Sequence, residues 1–316
     1  MAREPGEWWA VLDDEAGNRL DKFLAAPTRL GSRGRAAAAL ERGKVFLNNS
    51  EATLEHAGTT LNPGDRVRVW MDRPGSARKR ARRRGADDEL RIIFEDDGML
   101  VVDKPAGLLT VPLPRKEEAS SVYDQLIVHL RSRGKRKPLV VHRIDRDTSG
   151  LVMFATRPDV QQKLKDQFRR HEAERVYLAV VYGHPEPRQG IWRDHLVWDR
   201  RALVQKETHA RDPRAAEAIS KYRVLEDLKD ASLIEVRLVT GKRNQIRLQA
   251  RLSGHTLVGE QRYTYGPGEL RSIDFPRQAL HAHTLGLRHP GTQDLMRFES
   301  PLPADMLRLI TELRRS

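Results

Sequence analysis

The stretch His142-Arg143-Ile144-Asp145-Arg146-Asp147-Thr148-Ser149-Gly150, followed at once by Leu151-Val152-Met153-Phe154-Ala155, sets a dense polar loop directly against an apolar run. The apolar run reads as a buried strand, and the glycine permits the turn that enters it. Polar residues at such a boundary are held rigidly at the edge of a core, where a carboxylate flanked by arginines can be aimed. Local physics leaves two readings of the loop. Either Asp145 is a functional carboxylate, or Asp145 or Asp147 caps a turn and the arginines are merely solvated.

Outward from this loop, strand-like runs at Leu90 to Phe94, Met99 to Val102, Leu151 to Ala155, Val176 to Tyr182 and Leu233 to Val239 greatly outnumber helical ones. Ile234, Val236 and Leu238 alternate with Glu235 and Arg237, the period-two pattern of a strand with one face buried. Helices are predicted where Ser121 and Asp124 form a capping-box-like start before Leu126, Ile127 and Leu130, and where Pro158 opens a segment carrying Val160, Leu164 and Phe168. A last helix follows Pro303, with Met306, Leu309, Ile310 and Leu313 on one apolar stripe. A large sheet is expected, and the fold class taken for the chain is α+β: a mixed, mostly antiparallel sheet with flanking helices.

Upstream, Gly75 to Ala86 has no apolar periodicity and holds the basic run Arg78-Lys79-Arg80-Ala81-Arg82-Arg83-Arg84. Like charges so close repel within a compact fold, so residues 73–87 read as a basic flexible linker, either a solvated spacer or an arm that holds polyanion. It separates a small unit at 1–72 from a large one at 88–316. In the small unit Arg19-Leu20-Asp21-Lys22-Phe23-Leu24 opens a helix and Ser32-Arg33 caps a second one that stops at Gly43. A hairpin at Lys44 to Asn49 and a Pro63-Gly64-Asp65 turn before Arg66 to Trp70 complete it. These hallmarks resemble the alpha-L RNA-binding module first described in a small-subunit ribosomal protein. The resemblance implies a small N-terminal α/β RNA-binding domain in which Arg33, Arg35, Arg42 and Lys44 contact phosphates.

The whole chain of 316 residues is 39% apolar and 32% charged, with 57 Lys plus Arg against 44 Asp plus Glu and a net charge of +13. The excess suits a polyanionic partner, because neutralised phosphates release counterions. No apolar run approaches the roughly 18 residues of a membrane span, and the start at Met1 lacks the apolar stretch of a signal peptide. A soluble protein is predicted. The absence of cysteine excludes disulfides and thiolate metal sites, and the cytoplasm fits best.

His142-Arg143-Ile144-Asp145 also looks like the HRD loop of protein kinases, but Ile144 interrupts it, no G-x-G-x-x-G loop precedes it and no D-F-G follows. With Thr148-Ser149-Gly150, the same stretch matches the HR(L/I)D-x-x-TSG signature of the RluA-type pseudouridine synthases, which modify large-subunit ribosomal RNA and transfer RNA. More segments resemble that family in order. Glu95 to Gly107 resembles its opening strands and KP-x-G turn, Arg175-Val176-Tyr177-Leu178-Ala179 its K-x-Y-x-A strand, and Thr240 to Arg247 its TGR-x-HQIR segment. Ser253 to Glu260 and Leu280-His281-Ala282 are similar to its SxGHPIxGD and LHA segments. Three positions depart from the pattern: Arg175 replaces lysine, Asn244 histidine and Glu260 aspartate.

The resemblance implies isomerisation of specific uridines to pseudouridine in structured RNA, with no cofactor. Asp145 is then the catalytic carboxylate, attacking the ribose or the ring or assisting glycosidic cleavage. Arg247 pairs with it and favours its ionised form. Tyr177, by position alone more a core residue than a catalytic one, is by the motif match the residue that stacks under the extruded base and takes part in proton removal. Arg143 occupies the place the base vacates. Ribosomal RNA is the expected partner, with transfer RNA as the alternative and no membrane. No metal is expected at His281 and His283, since no carboxylate cluster accompanies them. Two competitors are a catalytically idle RNA-binding or ribosome-assembly protein, and a glycosidase that releases free uracil.

Overall fold

A computed structural model of the chain describes residues 6–71, 73, 90–112, 120–131, 137–202, 204–264 and 272–315. The chain divides into two compact units, Met1–Glu89 and Leu90–Ser316. Apart from Arg73, the predicted linker 73–87 lies outside the described residues. Among the described residues no helix is long and apolar enough to cross a membrane.

In the first unit, strands β1 (Glu7–Ala10), β2 (Val45–Leu47), β3 (Ser50–Ala52) and β4 (Arg66–Val69) form an antiparallel sheet of order β1-β4-β2-β3. Helices α1 (Leu20–Leu24) and α2 (Arg33–Glu41) cover one of its faces. Leu20, Leu24, Ala36, Ala39 and Leu40 meet Val45, Val67 and Val69 in the core. The start of α2 is fixed by Ser32, whose Oγ accepts the N–H of Arg35 at 3.2 Å. Its alanines supply helix propensity, and their small size places the helix close to the strands. Asn48 and Asn49, both in the left-handed region (φ 48 and 69), make the β2–β3 turn.

The second unit opens with β5 (Arg91–Glu95), β6 (Met99–Lys104), α3 (Val122–Arg131), β7 (Leu139–Val140), β8 (Ser149–Ala155) and α4 (Pro158–Arg169). It continues through β9 (Glu174–Tyr182), β10 (Gln189–Asp199), β11 (Val204–Thr208), β12 (Ala216–Leu228), β13 (Ala231–Leu238) and α5 (Gln245–Leu252). It ends with β14 (Leu280–Arg288), β15 (Leu295–Glu299) and α6 (Ala304–Arg315). Eleven strands form one sheet, in the order β11-β10-β12-β13-β9-β14-β8-β6-β5, with β15 beside β14 and β7 beside β8. The β14–β8 pair is parallel and the others are antiparallel, so the unit is α+β with a mostly antiparallel sheet.

Every residue of β8 is buried, which is why the run reads as continuously apolar. Val152 and Phe154 pack with Leu126 and Leu130 of α3, while Leu151 and Met153 pack with Val160 and Leu164 of α4 on the opposite face. The predicted capping box of α3 is reciprocal: Ser121 Oγ accepts the Asp124 N–H at 3.2 Å and Asp124 Oδ2 accepts the Ser121 N–H at 3.1 Å. Further along the sheet, Met306, Leu309 and Ile310 of α6 pack against Val180 and Leu233. Tyr177, Ala179 and Val181 of β9 face the other way, toward Ile246 and Ala250 of α5. Between α5 and the loop entering β8 lies a cleft.

Candidate active site

The loop from Val141 to Thr148 carries Asp145, and fixed neighbours hold its backbone. Thr110 Oγ1 donates to the Ile144 carbonyl at 2.8 Å. Lys104, fully buried, donates to the carbonyls of Arg146 (2.7 Å), Pro105 and Leu108 (both 2.8 Å). Burial pulls this ammonium down to about 7, against the charge of Asp147. On the far side, Arg277 Nη1 donates to the Asp147 carbonyl at 3.1 Å and the Arg277 guanidinium is itself clamped by Asp305. The loop therefore leaves the core with its carboxylate on a braced backbone.

The Asp145 carboxylate meets α5. Arg247 Nη1 donates to Asp145 Oδ2 at 3.1 Å, while Arg247 Nε and Nη2 make a two-pronged contact with Glu260, each at 2.7 Å. Glu260 is fully buried and also accepts the N–H groups of Arg262 and Tyr263. Burial opposes charge on both partners, yet their mutual hydrogen bonds hold Glu260 below the usual carboxylate range and Arg247 above the usual guanidinium range. Asn244, in the left-handed region at the start of α5, donates from Nδ2 to Asp145 Oδ2 at 2.5 Å. Two of the three departures from the family pattern, Asn244 and Glu260, thus stand in direct contact with Asp145 or Arg247. The third, Arg175, lies below the cleft, where it donates to the Val239 carbonyl at 3.1 Å and supports the loop before α5.

Tyr177 lines the same cleft from β9, between Val236 of β13 and Ala282 of β14. Burial pushes its phenol up to about 12, Arg175 working against the shift and Asp145 with it. Arg143 is exposed and completes the lining. The cleft encloses about 60 Å³, with Arg143 and Lys242 exposed along its lining. His142 faces away from the carboxylate. Its Nε2 accepts the Met153 N–H at 3.1 Å and its ring stacks on Phe168, 4.7 Å between centroids, so it is a structural residue of the loop.

The contact of Tyr263 with this site carried no signal in the sequence, and the structure gives Arg243, His281 and His283 partners that the sequence did not indicate. Tyr263 hydrogen-bonds Asn244 from 19 positions away. Arg243 lies with its guanidinium 3.8 Å from the centroid of the Trp198 ring, joining the β10–β11 hairpin to the loop before α5. His281 Nε2 and His283 Nδ1 both meet the Ser300 carbonyl, at 3.0 and 2.7 Å.

In the first unit, Arg35, Arg42 and Lys44 line a groove of about 460 Å³ together with Arg29 and Trp70. Arg33 is exposed on the first turn of α2. The groove is cationic with one aromatic wall, a surface suited to phosphate and base.

A sequence model described as RNA pseudouridylate synthase matches residues 98–252. An uncharacterized RNA pseudouridine synthase of Bacillus subtilis is 34% identical over 308 residues, 96% of this chain and 97% of that one. The ribosomal large subunit pseudouridine synthase D of Zymomonas mobilis is 33% identical over 313 residues, 96% of each chain. In fold, the chain is similar to human RNA pseudouridylate synthase domain containing 4, with a TM-score of 0.57 at 20% identity over 71% of this chain and 93% of that one.

Proposed function

Since the chain belongs to the RNA pseudouridylate synthase family, whose members isomerise uridine in RNA, we propose that it acts on large-subunit ribosomal RNA through Asp145, Tyr177 and Arg247. The observation that carries the site assignment is the Asp145–Arg247 pair at the floor of a cleft that Tyr177 also lines. The choice of RNA rests on relatives named for the large ribosomal subunit and on the cationic groove of the first unit. Docking on a large folded RNA rewards a second binding surface. The absence of cysteine suits the cytoplasm as its place.

In the reaction the bond from ribose carbon 1′ to ring nitrogen 1 breaks, the ring turns, and carbon 5 bonds to the same ribose carbon. The proton on carbon 5 leaves and nitrogen 1 gains one, so composition is unchanged. A stacked uridine cannot present its glycosidic carbon, and extruding it costs a few kcal/mol, roughly the unstacking of one base. Arg143, exposed at the mouth of the cleft, fills the vacated place and holds nearby phosphate. Asp145 attacks the ribose or the ring, and Arg247 keeps it oriented. Tyr177 stacks beneath the ring and takes part in removing the carbon-5 proton, for which its phenol must first give up its own proton.

The test is tritium release from ribosomal RNA labelled at uridine carbon 5. Wild type releases tritium and no free uracil, and Asp145→Asn lowers the rate by about 10³-fold or more, as removal of a nucleophile does. Release that survives Asp145→Asn would overturn the assignment. Release from transfer RNA alone would redirect the substrate, free uracil would indicate a glycosidase, and no release from any RNA would favour the idle binder.

A further inference from the structure

Both hydrogen bonds to the Asp145 carboxylate fall on one oxygen. Oδ2 accepts from Asn244 Nδ2 at 2.5 Å and from Arg247 Nη1 at 3.1 Å, whereas Oδ1 has no hydrogen-bond partner among the described residues. The side chain is 24% exposed and lines the cleft, and Oδ1 is its oxygen left for another partner.

The orientation of Asn244 is dictated by its neighbours. A carboxylate held by an arginine can only accept, so the amide must turn its NH₂ toward Asp145 and its oxygen toward Tyr263. The Tyr263 hydroxyl lies 3.2 Å from that oxygen and itself accepts the backbone N–H of Gln205 on β11 at 3.0 Å. Its one proton is therefore available to Asn244. Tyr263 is 5% exposed and packs with Leu196, Ala218 and Leu248, which fix its ring. The donors run in one direction, from Gln205 N–H through Tyr263 O–H and the Asn244 amide to Asp145, and bonds so aligned polarise one another. Asn244 reaches this place because asparagine adopts the left-handed backbone (φ 52) at the first turn of α5.

We propose that Asn244, oriented by Tyr263, is a positioning residue that pins Oδ2 of Asp145 and presents Oδ1 as the oxygen that acts on the nucleotide. This inference rests on the reading of Asp145 as the catalytic carboxylate. A terminal carboxylate torsion is broad and roughly two-fold. Arg247 alone fixes one end of one bond and lets the group swing; the second donor removes that freedom, and reactions gain rate from such fixed approach. The substitution of asparagine for the family's histidine keeps an N–H donor at the position.

The test compares full-length variants in steady-state tritium release from ribosomal RNA. Asn244→Ala should lower kcat roughly 10- to 100-fold, the loss of one hydrogen bond to a charged group, with KM within about twofold of wild type. Asn244→His, which tolerates the left-handed backbone and donates an N–H, should recover kcat to within about tenfold. Asn244→Asp, of the same size but lacking a donor, should fall below the alanine variant. Tyr263→Phe should lower kcat about 3- to 10-fold, and the double variant Tyr263→Phe/Asn244→Ala should be no slower than Asn244→Ala, because Tyr263 acts through Asn244. A merely structural role instead multiplies the two losses and raises KM. Asn244→Ala with wild-type kcat, or losses that multiply in the double variant, would overturn the proposal. Should Asn244→Ala fail to fold, as read from its thermal melt, the near-isosteric Asn244→Asp and Asn244→His carry the same comparison. Asp145→Asn separates the two claims: activity in that variant sinks the underlying assignment, while its inactivity alongside a fully active Asn244→Ala sinks only the positioning role.

Discussion

His142 stands three positions before Asp145 and is held neutral. Burial, with the charge of Arg175 adding to it, pulls its pKa down to about 3. An unfolded histidine titrates near ~6.5, so between about 6.5 and about 3 the unfolded chain binds a proton that the folded chain refuses. Folding stability is therefore unaffected by this group above about pH 6.5 and falls as pH drops toward about 3, by up to about 1.4 kcal/mol per pH unit. In His142→Gln, urea titrations at pH 7 and pH 4 should show about 2–3 kcal/mol less loss than wild type. An equal loss in both proteins would remove His142 from the acid sensitivity. The same variant tests role: a general base would cost about 100-fold or more in rate at neutral pH, whereas a structural ring does not. At the same scale, Arg247 and Glu260 show how a buried arginine is kept usable. Glu260 occupies Nε and Nη2, leaving Nη1 for Asp145. A lysine has no planar fork to divide between two carboxylates in this way.

Among the elements, the β8–β14 contact sets where the Asp145 loop leaves the sheet. Gly150 pairs with Ala282 there at φ +106, and a Cβ on it would lie 2.2 Å from the Ala282 carbonyl oxygen. Gly150→Ala should therefore cost more than about 3 kcal/mol by urea titration and displace the Asp145 loop, abolishing turnover. Gly107→Ala is the control, because Gly107 has a similar backbone (φ +83) with nothing within 4 Å of its Cβ position. It should lose only about 1–2 kcal/mol, the strain of a left-handed alanine. Equal losses in the two variants would show that backbone strain, not strand contact, governs Gly150. β8 and α3 were legible in the sequence because their signals are local: an apolar run bounded by a polar turn, and a capping box. Helix α5 was not read. Two residues on its buried side are Gln245 and Gln249, which hide the apolar period while bonding Thr240, Ile219, Ser220, Asp194 and Ala218. The strands β10 and β12 were missed as well, since β12 carries charges on its outer face and a bulge at Val224/Glu226 breaks its alternation. At the site, the Asp145–Arg247 pairing followed from ordered motifs. The Tyr263–Asn244 contact did not, because only the folded chain brings those positions together.

For the molecule as a whole, a net charge of +13 says that a polyanion is favoured without saying where it binds. The two units divide the labour differently under the proposed function. The second holds the carboxylate; the first offers Arg35, Arg42 and Lys44 around a groove, with Arg33 exposed on the same helix as Arg35. If these four side chains contact phosphates, each releases about one counterion from RNA, and the slope of log affinity against log salt carries roughly −0.7 to −0.9 per contact. The fourfold alanine variant should bind ribosomal RNA more weakly at low salt, with a slope shallower by about 3. Its KM should rise accordingly while kcat at saturating RNA stays within about twofold, because uniform binding lost far from the reacting atoms does not alter the chemical step. Asn244→Ala is expected to show the mirror image, with affinity and salt slope intact and kcat reduced. A fourfold variant whose salt slope is unchanged would mean that the first unit meets RNA through other residues or not at all. One that lost kcat with its slope preserved would tie Arg33, Arg35, Arg42 and Lys44 to the cleft chemistry instead of to docking.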